Sequence, residues 1–297
     1  MGNIYRTILL IFICFYVPSL NALNNDFTVS FDNQNTISST NYQETKQQIP
    51  TMEIILTLNN NELITLNLIR KFYPDGTLRS EGFYLNNKLF GLYKYYYEDG
   101  NLKSETYYKD GKLDGQEKIY DPFGNLRILF SYKNNKLHGL TKTFYSEDQV
   151  KSEDLYINDQ LSGTSKKYYE SGQVKEEVNY QNNQLHGKFR QYYENSKLLL
   201  DLSYINGKQE GTAKAYYENG NLKETVFYKK GNISGKSTQF YESGKIKLSS
   251  TYIYGKIEGY EKEYDEATGK VLSNRLYKNG TKIKEVTYNI TVKSIKK

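Results

Sequence analysis

The sequence predicts an all-β protein, an elongated single-layer antiparallel β-meander that repeats a β-hairpin of 24 residues about nine times. Three observations lead to this prediction: the fixed period, strand-like segments rich in tyrosine, and turn residues at both ends of every strand pair. A period of this size is typical of repeat proteins, in which each repeat stacks on its neighbours and no single globular core forms. Such chains usually bind other molecules over a long surface and rarely catalyse reactions.

Four positions of the repeat carry the period. The eighth is aromatic from Tyr96 onward, the fourteenth is aliphatic from Leu102 onward, and the twentieth is tyrosine from Tyr108 onward. A degenerate repeat that starts at position 65 carries Asn67 where glycine is expected. The third position is occupied by structural landmarks of the repeat, Gly91, Gly115, Gly139, Gly163, Gly187, Gly211, Gly235 and Gly259.

Each repeat is predicted to form one hairpin. Residues 92–97 and 102–108 are rich in aromatic and alternating residues, which favour strands. The loop between them, residues 98–100, ends in glycine, as a type I turn followed by a left-handed residue requires. The next turn, residues 109–111, is predicted to have the same three-residue form because it also ends in glycine.

The strand register follows from these two loop lengths. Three-residue loops pair Tyr96 with Leu102 and Tyr108 with Lys112. The eighth, fourteenth and twentieth positions then share one face of the sheet. The ninth-position tyrosines are predicted to lie on the other face together with lysine and glutamate. Neither face is apolar enough to support a second layer, so we expect a single sheet.

The repeats occupy only part of the chain. The predicted organisation is a signal peptide or N-terminal anchor at 1–22, a flexible polar spacer at 23–50, a capping strand at 51–64, the repeat array at 65–281, and a closing strand with a basic tail at 282–297.

The N-terminal segment predicts export to the periplasm, the cell envelope or the medium. Arg6 is the only charged residue among the first 25, and an apolar run at 8–17 follows it. This run is short for a membrane span, and Pro18 ends it. The alternative is an uncleaved anchor that extends to Leu23. The single cysteine, Cys14, lies in this run, so the exported chain would contain no disulfide.

The residues that carry the period resemble a known repeat family. The run Tyr-Tyr-Glu-Asp/Asn-Gly-Asn-Leu-Lys stands at 96–103 and 216–223, and Tyr-x-x-Gly-Lys-Leu-x-Gly stands at 108–115. These runs resemble the variant MORN repeat of bacterial proteins, including those labelled the YwqK-type antitoxin family. The resemblance covers about 65–281 and implies structural, non-catalytic landmarks. An export signal and the absence of tryptophan depart from the expected pattern.

The residue types that carry catalysis or bind metals do not cluster in the sequence. His138 and His186 occupy the same repeat position two repeats apart, so one metal ion could not bind both, and we interpret them as exposed residues near turns. We expect no catalytic residue, metal or cofactor, and therefore no enzyme. The glutamates of the first loop are interpreted as solvated turn residues: Glu98, Glu170, Glu194, Glu218, Glu242 and Glu266.

Basic residues recur at two positions of the repeat. The sixth-position ladder begins at Lys94 and the fifteenth-position ladder at Lys103, and we expect them on opposite faces. Acidic residues two places after the fifteenth position, such as Glu105, are expected to offset that ladder. The candidate binding-face residues are Tyr97, Tyr145, Tyr169, Tyr193, Tyr217, Tyr241, Lys103, Lys151 and Lys175.

The sequence therefore favours an exported, non-enzymatic scaffold that binds a protein partner through a tyrosine-rich face. Tyrosine supplies a large contact area at a low entropic cost. The alternatives are a YwqK-type antitoxin or immunity protein that neutralises a toxin, and a binder of an anionic membrane surface or surface polymer. Nucleic acid is not an expected partner, because the net charge is only +6.

Overall fold

The computed structural model describes residues 28–30, 52–57, 63–146 and 148–288, with side chains from residue 65 onward. Every regular element in these ranges is a β-strand, and no helix occurs among them. The chain divides into two compact units, residues 1–139 and 140–297. Within each unit the strands pair antiparallel with their neighbours in sequence. The predicted all-β, single-layer antiparallel meander is therefore confirmed.

The strands of the first unit are β1 (Thr28–Ser30), β2 (Met52–Thr57), β3 (Leu63–Phe72), β4 (Leu78–Leu85), β5 (Lys88–Tyr96), β6 (Leu102–Lys109), β7 (Lys112–Tyr120), β8 (Leu126–Lys133) and β9 (Lys136–Leu137). The remaining strands are β10 (Gly139–Ser146), β11 (Gln149–Ile157), β12 (Gln160–Leu161), β13 (Gly163–Tyr168), β14 (Val174–Gln181), β15 (Gln184–Tyr192), β16 (Leu198–Ile205), β17 (Lys208–Gln209), β18 (Gly211–Tyr216), β19 (Leu222–Lys229), β20 (Asn232–Phe240), β21 (Ile246–Ile253), β22 (Lys256–Ile257), β23 (Gly259–Tyr264), β24 (Val271–Lys278) and β25 (Thr281–Thr287).

Several sequence predictions fall on the ends of the chain. The signal segment 1–22 and the tail from residue 289 lie outside the described residues. The stretch 23–50, predicted as a spacer, contains the short strand β1, which pairs with β2. Strand β2 lies within the predicted capping segment, and β25 forms the last described strand, paired with β24.

In seven repeats of the described chain the first loop has the predicted three-residue form, whereas the loop before Val271 is one residue longer. In the hairpin of β5 and β6, the N–H of Tyr97 donates to the carbonyl of Asn101 at 2.8 Å, and the N–H of Gly100 donates to the carbonyl of Tyr97 at 3.0 Å. Gly100 has a φ of +85°, in the left-handed region that glycine accepts without steric cost. Tyr96 pairs with Leu102, as predicted.

The second turn differs from the prediction. It contains two residues, because Tyr108 pairs with Leu113 and not with Lys112. The two turn residues, 110–111, have φ values of +52° and +77°. Positive φ at two consecutive residues defines the type I′ turn, whose twist matches that of the flanking strands. The predicted three-residue turn at 109–111 and its pairing are therefore wrong.

The third-position glycines do not lie at the turns: four lie inside strands, and four begin the strands β10, β13, β18 and β23. All eight have positive φ, between +75° and +130°. At Gly115 a Cβ atom would lie 2.8 Å from the Cβ of Tyr107 on the neighbouring strand. The register shifts here, between the pairs of Thr106 and Tyr108. The role of these glycines differs from that of the loop glycines, because extra residues in one strand also require a positive φ.

A bulge after the three-residue loop decides which side chains share a face. Tyr95 pairs with Ser104, whereas Tyr96 pairs with Leu102, which leaves Lys103 unpaired between them. The Lys103 ammonium lies 5.5 Å from the centroid of the Tyr95 ring, so Lys103 and Ser104 lie on the same side of the sheet. The usual alternation of side chains is therefore interrupted once in every repeat.

Two faces result, and we name them by their contents. The tyrosine face carries the fifth, ninth, fifteenth and twentieth positions, since Tyr93 contacts Tyr108 with ring centroids 6.1 Å apart and Lys103 lies over Tyr97. The ion-pair face carries the sixth, eighth, fourteenth and seventeenth positions, since the Tyr96 hydroxyl donates to Glu81 at 2.9 Å. The eighth and fourteenth positions share one face, as predicted. The prediction is wrong for the twentieth position, which lies on the opposite face together with the ninth position.

The side chains most buried on the tyrosine face are short. Val178 is 2% exposed and Ser80 only 1% exposed. Others of the same kind are Thr106, Thr141, Ser165, Ala213, Ser237, Ser250 and Ser273. Because short side chains bury little apolar area each, the stability of this sheet depends strongly on hydrogen bonds and cross-strand pairs.

Candidate functional site

The tyrosines of the ninth position join successive repeats. Each hydroxyl donates a hydrogen bond to the backbone carbonyl of the residue 23 positions later, at the eighth position of the next repeat. The donors and their distances are Tyr73 (2.7 Å), Tyr97 (2.8 Å), Tyr145 (3.0 Å), Tyr169 (2.7 Å), Tyr193 (2.8 Å), Tyr217 (2.8 Å) and Tyr241 (2.7 Å). The six tyrosines predicted for the binding face thus also hold the array together, with their rings half-buried.

Lysines of the fifteenth position cover these rings. Their ammonium groups lie 5.3–5.7 Å from the ring centroids, within the range of cation–π attraction. The stacked pairs are Lys103 with Tyr97, Lys151 with Tyr145, Lys175 with Tyr169, Lys223 with Tyr217, and Lys247 with Tyr241. The structure therefore brings together all three lysines and five of the six tyrosines that the sequence proposed as binding residues, and the sixth, Tyr193, has Leu199 at the lysine position.

The lysines of the sixth position have a different environment. On the ion-pair face, Lys142 lies 2.7 Å from Glu153 and Lys166 lies 3.3 Å from Glu177. The expectation that the seventeenth-position acids offset the fifteenth-position bases is wrong. The bulge places the acids on the opposite face, where they neutralise the sixth position instead.

Tyrosines of the eighth position complete these ion pairs. The Tyr168 hydroxyl donates to Glu153 at 2.9 Å. Burial, and then the hydrogen bond to Glu153, raise the pKa of Tyr168 to about 12. The hydrogen bond from Lys142 is the main cause that lowers the pKa of Glu153. At neutral pH the carboxylate is therefore charged and satisfied by a neutral phenol and an ammonium group.

The stacked lysines have no such acidic partner. Lys103, Lys151, Lys175, Lys223 and Lys247 are exposed, and none forms an ion pair with a carboxylate in the described part of the chain. Four of them belong to the second unit. The tyrosine face of that unit thus presents a row of exposed lysines that are stacked on aromatic rings and form no ion pair, with Glu176 and Glu224 directly after Lys175 and Lys223 in sequence.

One position of the first unit departs from this pattern. Asp121 replaces the ninth-position tyrosine, and its carboxylate accepts hydrogen bonds from Asn125, Phe123 and Arg127. Partial desolvation opposes these hydrogen bonds, but together they lower the pKa of Asp121 to about 2. Arg127, at the fifteenth position, lies 2.6 Å from Asp121 and is neutralised. Unlike the stacked lysines of the second unit, the basic residue of this repeat is therefore paired with a carboxylate.

The histidines do not form a site. The Nδ1 atom of His186 lies 3.2 Å from Oδ1 of Asn206 in the next turn, and the backbone N–H of His138 donates to Ser131 at 2.8 Å. Both are half-buried, so the interpretation as exposed residues is wrong in that respect. No group of three or more metal-ligating side chains occurs within the described ranges. Nor do those ranges contain a helix long and apolar enough to span a membrane.

The loop glutamates are exposed, as predicted. Two accept hydrogen bonds from the preceding loop, since Ser171 donates to Glu194 at 2.9 Å and Ser243 donates to Glu266 at 2.7 Å. They therefore form a rim along the three-residue loops, outside the row of stacked tyrosines.

Identical hairpins joined by identical contacts define a β-hairpin repeat scaffold. A family model described as "MORN repeat variant" matches residues 68–86, 91–110, 113–134, 137–158, 161–182, 185–206, 209–230 and 233–254. These matches cover more than half of the chain, and the chain belongs to this family. The comparison with curated proteins gives no significant match.

Family membership confirms the resemblance to MORN repeats, while the YwqK-type antitoxin resemblance stays a prediction. The matches end at residue 254, but the hairpin of β23 and β24 continues the same pattern, with Tyr264 paired to Val271. Repeats of this family are typically non-catalytic scaffolds that bind proteins or membranes.

Proposed function

We propose that this chain is an exported, non-enzymatic scaffold that binds a protein partner through the tyrosine face of its second unit. The observation that supports this proposal is the row of exposed lysines stacked on tyrosine rings. The five hairpin-joining hydroxyls of this unit and the stacked ammonium groups hold these side chains in place before binding. Binding then costs little side-chain entropy, which favours an interface.

The tyrosine face suits a protein for a further reason. Aromatic residues are enriched at the centre of protein interfaces because they bury a large area while a polar group stays satisfied. Here the hydroxyl is already bonded to the backbone of the next repeat, so a partner that covers the half-buried ring and its stacked lysine does not leave the hydroxyl unpaired. A partner with acidic groups would neutralise the lysines above the rings.

A matched pair of double variants tests the proposal. Lys175→Gln with Lys223→Gln removes two stacked charges, and Lys166→Gln with Lys214→Gln removes two charges from the ion-pair face. The wild-type protein and both variants are used to capture partners from envelope extracts of the producing cells, followed by mass spectrometry. We expect a specific partner to be lost only with the first variant. Equal capture by all three proteins would contradict the proposal.

Two alternative functions are outcomes of the same experiment. If the captured partner is a toxin whose activity the chain abolishes, the protein is a neutraliser of the antitoxin or immunity type. If no protein is captured but anionic vesicles bind in a manner that depends on Lys175 and Lys223, the face binds a membrane surface.

Export is tested separately. The apolar run at 8–17 after Arg6 supports it. Cell fractionation with N-terminal sequencing of the recovered chain should place the protein outside the cytoplasm, with a new N-terminus near residue 23 if the segment is cleaved. Recovery of the full-length chain in the cytosol would contradict this part of the proposal.

A further inference from the structure

We propose that the partner presents an extended acidic segment in the polyproline II conformation, with a carboxylate at every third residue and an apolar residue at the centre. This segment lies across the strands of the second unit, along its row of stacked lysines. The proposal rests on the proposed function and names the chemistry of the partner that fits this face.

The spacing of the lysines follows from the strand register. Each fifteenth-position residue is adjacent to a sixteenth-position residue, and the sixteenth and seventh positions form an unbroken row of strand pairs. The row runs through Ser152, Lys167, Glu176, Gln191, Leu200, Ala215, Glu224, Gln239 and Leu248. One repeat spans two strands, which at about 4.8 Å per strand gives about 9.6 Å between successive lysines.

A polyproline II helix matches this distance. It has three residues per turn and rises about 3.1 Å per residue, so every third side chain lies on the same side at intervals of about 9.3 Å. The mismatch is about 0.3 Å per repeat and about 1.2 Å over the four repeats from Lys151 to Lys247.

The other regular conformations fit less well. A β-strand places same-side residues about 6.7 or 13.4 Å apart, neither of which is close to 9.6 Å. An α-helix returns to the same side after seven residues, about 10.5 Å, and the mismatch grows to about 3.6 Å over four repeats. Polyproline II segments also pack well on aromatic rings, which this face supplies.

Leu199 sets the centre of the pattern. It occupies the fifteenth position between Lys175 and Lys223, next to Tyr193, and it is half-buried. A carboxylate placed opposite Leu199 would lose water without gaining a cation, which is unfavourable. The complementary segment therefore has acidic residues at its first, fourth, tenth and thirteenth positions and an apolar residue at its seventh.

Acidic residues of the chain itself border the lysine row on both sides. The loop glutamates lie on the outer side, where Glu170 and Glu242 follow the stacked tyrosines Tyr169 and Tyr241. On the inner side, Glu176 is held by Lys167 at 2.8 Å and Glu224 by Gln239 at 3.1 Å. A carboxylate that moves off the row toward either side meets like charge, so the row itself is the favoured position for an acidic segment.

Synthetic peptides test the proposal directly. The matching peptide is Glu-Pro-Pro-Glu-Pro-Pro-Leu-Pro-Pro-Glu-Pro-Pro-Glu. The control has the same composition with its four glutamates consecutive. Binding of labelled peptides to the full chain is measured by fluorescence anisotropy at low and physiological salt. We expect the matching peptide to bind about tenfold more tightly than the control, because only it can meet all four lysines.

Variants of the chain locate the binding site and test the central position. Lys175→Gln with Lys223→Gln should weaken the matching peptide about fivefold, whereas Lys166→Gln with Lys214→Gln should leave it unchanged. Leu199→Lys should shift the preference toward a peptide with glutamate at its seventh position. The far-ultraviolet circular dichroism spectrum and melting temperature of each variant show that the fold is retained.

The outcomes separate this inference from the proposed function. Equal binding of the matching and control peptides, or no binding of either, overturns the inferred spacing. If the capture of a protein from envelope extracts still depends on Lys175 and Lys223, the proposed function stands although the inferred acidic segment is wrong. If anionic vesicles bind through these lysines and the peptides do not, a lipid surface replaces the acidic segment and the inference is overturned.

Discussion

The hydroxyl groups of the ninth-position tyrosines should contribute measurably to the stability of the array. Tyr169→Phe removes one hydroxyl, which donates to the carbonyl of Tyr192 at 2.7 Å, and leaves the ring in place under Lys175. The change therefore isolates one contact between two successive repeats. Packing of the ring and its interaction with the ammonium group should be unaffected.

The magnitude follows from the environment of this hydrogen bond. A neutral intramolecular hydrogen bond contributes about 0.5–1.5 kcal/mol to stability, and we expect the lower half of this range because Tyr169 is half-buried and water can reach the freed carbonyl. The equivalent hydroxyls lie about 9.6 Å apart, so their contributions should add. Changing Tyr169, Tyr193, Tyr217 and Tyr241 together should then cost about 2–4 kcal/mol.

Thermal melting followed by circular dichroism measures the effect. A loss of 1 kcal/mol lowers the melting temperature of a domain of 150–250 residues by about 2–4 °C. Tyr260→Phe is the control, because Tyr260 is 55% exposed and the structure gives its hydroxyl no equivalent bond to the next repeat. If the fourfold variant melts at the same temperature as this control, the ninth-position hydroxyls do not stabilise the array and the reasoning is refuted.

Three further predictions concern the bulges, the acidic groups and the repeat itself. Gly115→Ala should destabilise the chain more than Gly259→Ala, because both residues have a positive φ but only at Gly115 would the new Cβ meet another atom, at 2.8 Å; chemical denaturation of the two variants measures the difference. The pKa values of Glu153 and Asp121 are lowered in the folded chain, so the stability they contribute is complete above their unfolded pKa values of 4.5 and 3.8 and is lost as the pH falls through the folded pKa values. Thermal melting between pH 6 and pH 2 should show this loss of stability, and the loss should be smaller in Asp121→Asn. Deletion of the 24 residues 161–184 should preserve the β-sheet spectrum and a cooperative melt, because it joins equivalent positions of two repeats, and a loss of folded structure would contradict the proposed equivalence of the repeats.

The repeat period and the first loop could be predicted from the sequence because local chemistry decides both. A three-residue loop that ends in Gly100 needs one residue with positive φ, and glycine is the residue that accepts it most readily. The same reasoning applies to every repeat with little dependence on tertiary contacts. Recurrence at 24-residue intervals then fixes the number of hairpins.

The second turn could not be assigned by its last residue alone. Both a three-residue loop and a two-residue type I′ turn can end in glycine or asparagine. The deciding signal is the pair of adjacent residues that tolerate positive φ, such as Asn134 with Asn135, whose φ values are +51° and +66°. A loop length wrong by one residue changes the pairing of Tyr108, whereas the bulge at Lys103, which the sequence did not indicate, is what places Tyr108 and Tyr97 on the same face.

The contacts of the candidate site were only partly accessible from the sequence. The period placed the tyrosines and lysines on one face, but the bulge at Lys103, which moves the seventeenth-position acids to the opposite face, depends on hydrogen bonding across strands. One local signal was present. Where Asp121 replaces the tyrosine, Arg127 stands at the lysine position and pairs with it at 2.6 Å, which indicates that the ninth and fifteenth positions contact each other.

The separation of the two lysine ladders explains how the fifteenth-position lysines stay outside ion pairs in a chain with a net charge of only +6. Acidic residues are nearly as numerous as basic ones, but in the repeat their contacts are distributed unequally. Glu153 and its equivalents satisfy the ion-pair face, where Lys142 is neutralised at 2.7 Å. The bulge keeps these carboxylates away from Lys151, which lies over Tyr145 at 5.4 Å.

This arrangement also determines which variants can test function without disturbing the fold. The ninth-position tyrosines combine two roles, since the hydroxyl joins repeats and the ring supports the lysine. Loss of binding on changing Tyr169 would therefore be ambiguous between an unfolded repeat and a lost contact. The lysines above the rings make no hydrogen bond that holds the sheet, and exposed cation–π pairs contribute only about 0.5–1 kcal/mol. Substitution of Lys175 by glutamine should thus abolish its charge at a small cost in stability, which makes the lysine row the part of the site where binding and folding can be measured separately.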